Sequence, residues 1–102
     1  MIDWYWKEAD ELEKQEKWNE AKTFMHLEWK RDQKDLKKFI RLSFLCWYVV
    51  VDWGCIDTTD LQHEEYENLL KELTNHGLAN NSEHPEFLWT FGYMISMFPY
   101  YF

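Results

Sequence analysis

Three glycines and two prolines are all that punctuate 102 residues. A fold of many short strands and tight turns needs more of both, so the chain should form a few long helices. Cysteine is nearly absent. Cys46 and Cys55 stand nine apart, a spacing unlike that of a metal site, and without a secretion signal they read as reduced thiols of a cytosolic protein rather than as a disulfide. No apolar run approaches the ~20 residues that cross a bilayer. The longest, residues 42–51, lies between Arg41 and Asp52 and is interrupted by Ser43, as suits a helix in a protein core. The opening MIDWYWKEADELE has neither the basic start nor the apolar stretch of a signal peptide. Basic residues number 11 against 19 acids, for a net charge of −8, which disfavours free nucleic acid as a ligand. A glycine-rich phosphate loop and a recognisable nucleophile motif are also missing, so neither a catalytic site nor a cofactor is expected.

Aromatic residues, by contrast, are abundant. They make up 20% of the chain, with seven tryptophans. A single domain of this length buries only about two-thirds of the surface its unfolded chain exposes. Some of these rings should therefore form a surface that meets another protein, where Trp and Tyr supply much of the binding energy.

Five helical segments can be traced, giving one all-α domain over residues 1–102, packed as antiparallel hairpins. The first covers about residues 3–15, with Trp6, Ala9 and Leu12 on one side. In the second, about residues 18–31, Trp18, Ala21, Met25 and Trp29 recur at spacings of three and four. Asp35 suits the N-cap of a third helix that continues to Trp53 and stops at Gly54. Its second half is apolar on every side, so it should be central, with Phe39, Phe44, Trp47, Val50 and Val51 in the core. The fourth opens on a capping-box spacing, Thr59 and Gln62, buries Leu61, Tyr66, Leu69, Leu70 and Leu73, and ends at His76 and Gly77. A polar loop over residues 78–84 leads to a fifth helix that starts at Pro85 and stops before Pro99.

Residues 14–35, KQEKWNEAKTFMHLEWKRDQKD, resemble the middle of a tetratricopeptide repeat, the 34-residue helix-turn-helix unit. Trp18 matches the repeat's large aromatic, Ala21 the small residue that lets the helices approach, and Phe24 the large apolar residue of the second helix. The chain departs from the pattern at Glu16, Glu28 and Gln33, where the repeat keeps a glycine, a small residue and a proline. The resemblance covers about a fifth of the chain and implies a scaffold that holds peptides or proteins. In general character, short, acidic and rich in aromatics, the chain is also similar to bacterial toxin-immunity proteins, which bind and neutralise a toxin.

Charge is unevenly spread. Residues 30–41 carry a net +4 and the rest −12. The basic stretch should pair with acids of neighbouring helices, while the acidic surface could steer and dock a basic partner such as a nuclease toxin. The acids expected to do so are Asp10, Glu11 and Glu13 near the N-terminus and Glu64, Glu65 and Glu67 on the fourth helix. His63 and Glu67, one turn apart, could begin a metal site, but no spacing supplies further ligands. Residues 87–102 are almost unbroken apolar sequence. Trp89, Tyr93 and Phe98 are accordingly expected at a partner interface or in a homodimer, since large exposed apolar patches are unusual on monomers.

Overall fold

The computed structural model describes residues 5–53 and 61–97, which form five helices and, among the described residues, no strand. They are α1 (Lys7–Lys14), α2 (Trp18–Arg31), α3 (Leu36–Val51), α4 (His63–Asn80) and α5 (Pro85–Met97). The first three helices pack in consecutive pairs, and α3 is also flanked by α4 and α5. The result is an all-α bundle with α3 at its centre.

Each boundary has a local cause. Asp35 caps α3, its carboxylate accepting the Lys38 N–H at 3.2 Å. Asp10 reaches back from the first turn of α1 to accept the Trp6 N–H at 3.1 Å. The α1–α2 turn is a Schellman motif: Lys17 N–H donates to Leu12 O and Glu16 N–H to Glu13 O, each at 2.9 Å. That motif puts Glu16 in the left-handed region, φ 57°, which an L side chain adopts at a cost. Glu16→Gly should therefore stabilise the domain by about 0.5–1 kcal/mol. A rise of roughly 3–6 °C in thermal midpoint is expected, and a fall would contradict the assignment of strain.

Several expectations need correcting. Helix α1 begins at Lys7 rather than Asp3, because its N-cap is Trp6. Regular α3 ends at Val51, with Asp52 as its C-cap, two residues before Gly54. Helix α4 runs through Gly77 to Asn80. A Cβ on Gly77 would lie 2.1 Å from Phe87 Cε1, so this glycine permits close packing and does not terminate the helix. Phe44 is 42% exposed: it lies on a side of α3 that none of the other described helices fully covers. The proposed cap Thr59, the stop Gly54, and Cys55 and Phe98 lie outside the described residues.

The core follows the helical periodicities. Trp18, Ala21, Met25 and Trp29 are buried, as are Leu69, Leu70, Leu73 and Tyr66. Phe24 is only partly buried, its ring 5.4 Å from Trp6, while Met25 beside it is fully enclosed. Around Phe39 the rings of Trp29, His76, Phe87 and Phe91 all lie within 6.2 Å, centroid to centroid. Cys46 is completely enclosed and burial pushes its thiol up to about 12, so it is an inert packing residue.

Polar atoms in this core have sparse partners. Trp29 Nε1, His26 Nε2 and His76 Nε2 are buried with no hydrogen-bond partner among the described residues. Burial holds the His26 pKa below its ordinary 6.5, aided by Lys30 and Lys22 and opposed by Glu72. A histidine whose folded pKa is depressed adds its full stability above the unfolded value. That contribution is lost as pH falls below 6.5 toward the folded value. As pH falls below 6.5 this residue should therefore lower stability, and His26→Gln should remove that part of the pH dependence in urea titrations. An identical slope in the variant would remove His26 as the cause.

Candidate functional site

The side of α3 that carries Phe44 forms the floor of an apolar groove with a volume of about 690 Å³. Ile40, Phe44 and Tyr48 recur every four residues along it, and Arg41 and Leu45 form the parallel row. One wall comes from the α1–α2 junction, through Glu13 and Trp18, and the other from α5, through Trp89, Thr90 and Tyr93. The junction is held there by the Schellman turn, whose carbonyl acceptors are Glu13 and Leu12. Helix α5 is held by its inner face, where Phe87, Thr90, Phe91 and Met94 are buried.

Aromatic contacts fix both walls. Trp18 packs on Tyr48 with ring centroids 5.3 Å apart. Trp89 stacks on Tyr93 at 6.1 Å and 9°, and Tyr93 meets Trp47 edge-on at 5.9 Å. The groove is open to solvent: Trp89 is 74% and Tyr93 45% exposed. Beyond its rim, Leu88, Ile95 and Met97 continue an exposed apolar surface along α5. Trp18, though buried, keeps an indole Nε1 with no hydrogen-bond partner among the described residues.

One end of the groove is ionic. Arg41 Nη2 lies 2.6 Å from Asp10 Oδ1 and 3.2 Å from Glu13 Oε2. Two carboxylates thus share one guanidinium, leaving this cluster net negative. Burial raises the Glu13 pKa against the pull of Arg41, and Asp10 adds to the rise. Because Glu13 holds its proton more tightly in the folded state, its contribution to stability falls as pH rises above 4.5.

The structure brings together only part of the residue set read from sequence. Asp10, Glu13, Trp89 and Tyr93 meet at or beside the groove. Glu11 is exposed on α1, outside it. The α4 acids are on none of its walls: Glu64 is exposed, Glu65 lies 3.9 Å from Lys22, and Glu67 accepts from His63 Nδ1 at 2.8 Å. His63 also meets Trp53 edge-on at 4.8 Å, and no group of metal ligands occurs among the described residues. The basic segment is largely paired within the chain: Lys38 and Arg31 with Glu28, Arg41 with the α1 acids, and Lys37 with the Tyr5 carbonyl. Sequence reasoning missed Arg41, Phe44 and Tyr48 as groove residues. The available signal was the all-round apolar character of α3, which presents more surface than three flanking helices can cover.

Comparison with family models, curated proteins and solved structures finds no match. Among the described residues no helix is long and apolar enough to cross a membrane. The functional reading therefore rests on the groove and its charge.

Proposed function

We propose that the chain is a small acidic protein-binding module that docks and neutralises a basic protein, in the manner of the toxin-immunity proteins it is similar to. The observation that carries this reading is an open, aromatic-walled groove continuous with the exposed apolar face of α5, on a chain of net charge −8. Apolar rings exposed in one patch are what a partner can desolvate, and the surrounding acids speed and orient its approach. Self-association through α5 is the alternative occupancy. Two copies of the same acidic chain repel one another, so a basic partner fits better.

Asp10 and Glu13 bind Arg41, so reversing their charge would also strain the fold. Glu11 and Glu64 are exposed and give the cleaner test. With the partner captured on the immobilised chain from the native host, Glu11→Lys with Glu64→Lys should slow association severalfold and weaken its salt dependence. Trp89→Ala with Tyr93→Ala should raise the dissociation constant at least about tenfold. Unchanged rates and affinities in both variants would contradict the proposal. A wild-type chain that sediments as a dimer without partner, and as a monomer when Trp89 and Tyr93 are replaced, would favour the homodimer instead.

A second reading, a scaffold fragment of the tetratricopeptide type, is favoured by the α1–α2 hairpin. Trp18 and Ala21 are buried there, and Glu16 takes the left-handed backbone at the position where that repeat keeps glycine. A longer parent gene encoding further units would support it.

A further inference from the structure

The groove's architecture narrows what the partner presents. Its floor runs from Ile40 to Tyr48, about 12 Å at the helical rise, or a little over two turns. Floor and walls are all contributed by helices, and the floor side chains stand in rows four residues apart. Such rows form the ridges against which another helix packs. The trough reaches solvent past Phe44, Trp89 and Tyr93, which are exposed, so an occupant can enter it from the protein surface. The Asp10–Glu13–Arg41 cluster at one end has an excess carboxylate, and the chain as a whole is strongly acidic.

We propose that the groove receives an amphipathic α-helix of the basic partner, lying along α3 between Trp18 and the Trp89–Tyr93 stack. Apolar side chains at positions i, i+3 or i+4 and i+7 of that helix fill the trough. A lysine or arginine at one end meets the spare charge beside Glu13. The docked helix covers the exposed side of Phe44. This inference rests on the protein-binding reading above and adds the site and the form of the partner.

Three fluorescently labelled synthetic peptides test it. The first is a 14-residue helix of Leu, Ala and Lys with leucines at i, i+4, i+7 and i+11. The second has the same composition scrambled to remove the apolar face, and the third has Glu in place of every Lys. Anisotropy titrations should show binding of the first, weakened by salt, and affinities at least about tenfold lower for the other two. Phe44→Ala should weaken the first peptide by about tenfold or more. Leu78→Ala, at an exposed position of α4 that is on no wall of the groove, should leave it unchanged. Thermal melts establish that each variant is folded.

Equal binding of the scrambled peptide, or indifference to Phe44→Ala, would overturn the inference. The captured native partner separates the two levels of the account. Binding that needs Leu88 and Ile95 but not Phe44 would preserve the protein-binding module and remove the groove. Binding indifferent to these three residues and to Trp89 and Tyr93 would remove both.

Discussion

Phe39→Ala is expected to cost the domain about 3–5 kcal/mol. The ring is fully buried and touches a neighbour from every other helix that packs on α3 in this region. Trp29 of α2 lies 6.2 Å away, His76 of α4 5.5 Å, and Phe91 of α5 is stacked at 5.8 Å and 10°. Truncation removes the transfer free energy of the ring and leaves a cavity whose lining is itself made of large rings. Those rings are held by their own packing and cannot easily collapse inward. Since a domain of this size is stable by only about 5–15 kcal/mol, a large share of the total should go. Urea titration should show a much lower midpoint with an unchanged slope. A loss below about 1 kcal/mol would mean that Phe39 is not the hub of the core.

Gly77→Ala should also destabilise, although the same change inside an ordinary helix gains about 0.5–1 kcal/mol. The new Cβ would meet Phe87 Cε1 at 2.1 Å, Phe87 Cζ at 2.8 Å and Phe39 Cζ at 2.9 Å. Both rings are buried, so neither can swing into solvent. Overpacking of this kind costs about 1–3 kcal/mol, which outweighs the gain in helix propensity. Gly92 supplies the control. It lies exposed in α5 with nothing within 4 Å of a built Cβ, so Gly92→Ala should stabilise by about 0.5–1 kcal/mol. Opposite signs for the two glycines are the expected result. If both changes stabilise, the α4–α5 approach is looser than described.

Those two glycines show where sequence patterning stops being informative. Glycine near the end of a periodic segment ordinarily ends a helix, and the local pattern predicts that for Gly77. Its actual role depends on Phe87, ten residues later, reaching back against it, a tertiary contact that no local rule contains. The features that were legible are the local ones: the Asp35 cap, Pro85 at the start of α5, and the buried row Trp18, Ala21, Met25, Trp29, whose 3.6-residue period determines both helix and face. The central place of α3 was legible for the same reason. Which side of α3 stays open was not, because an all-round apolar helix carries no polar face to mark it, and its pattern therefore places Phe44 in the core. Of the site, Trp89 and Tyr93 stood out as excess apolar sequence on α5. The pairing of Asp10 and Glu13 with Arg41 spans 31 and 28 residues and became visible only when the α1–α2 hairpin was laid along α3.

Hydrogen exchange on the chain bound to its captured partner tests the central claim most directly. The account predicts new protection in two places: the wall and rim of α5 from Leu88 to Ile95, and the α1–α2 junction around Glu13 to Trp18. In the core helix α3, slow exchange at residues 40–48 should be preserved or slowed further. Protection confined to the acidic face of α4 around Glu64, with α5 exchanging as in the unbound chain, would contradict it.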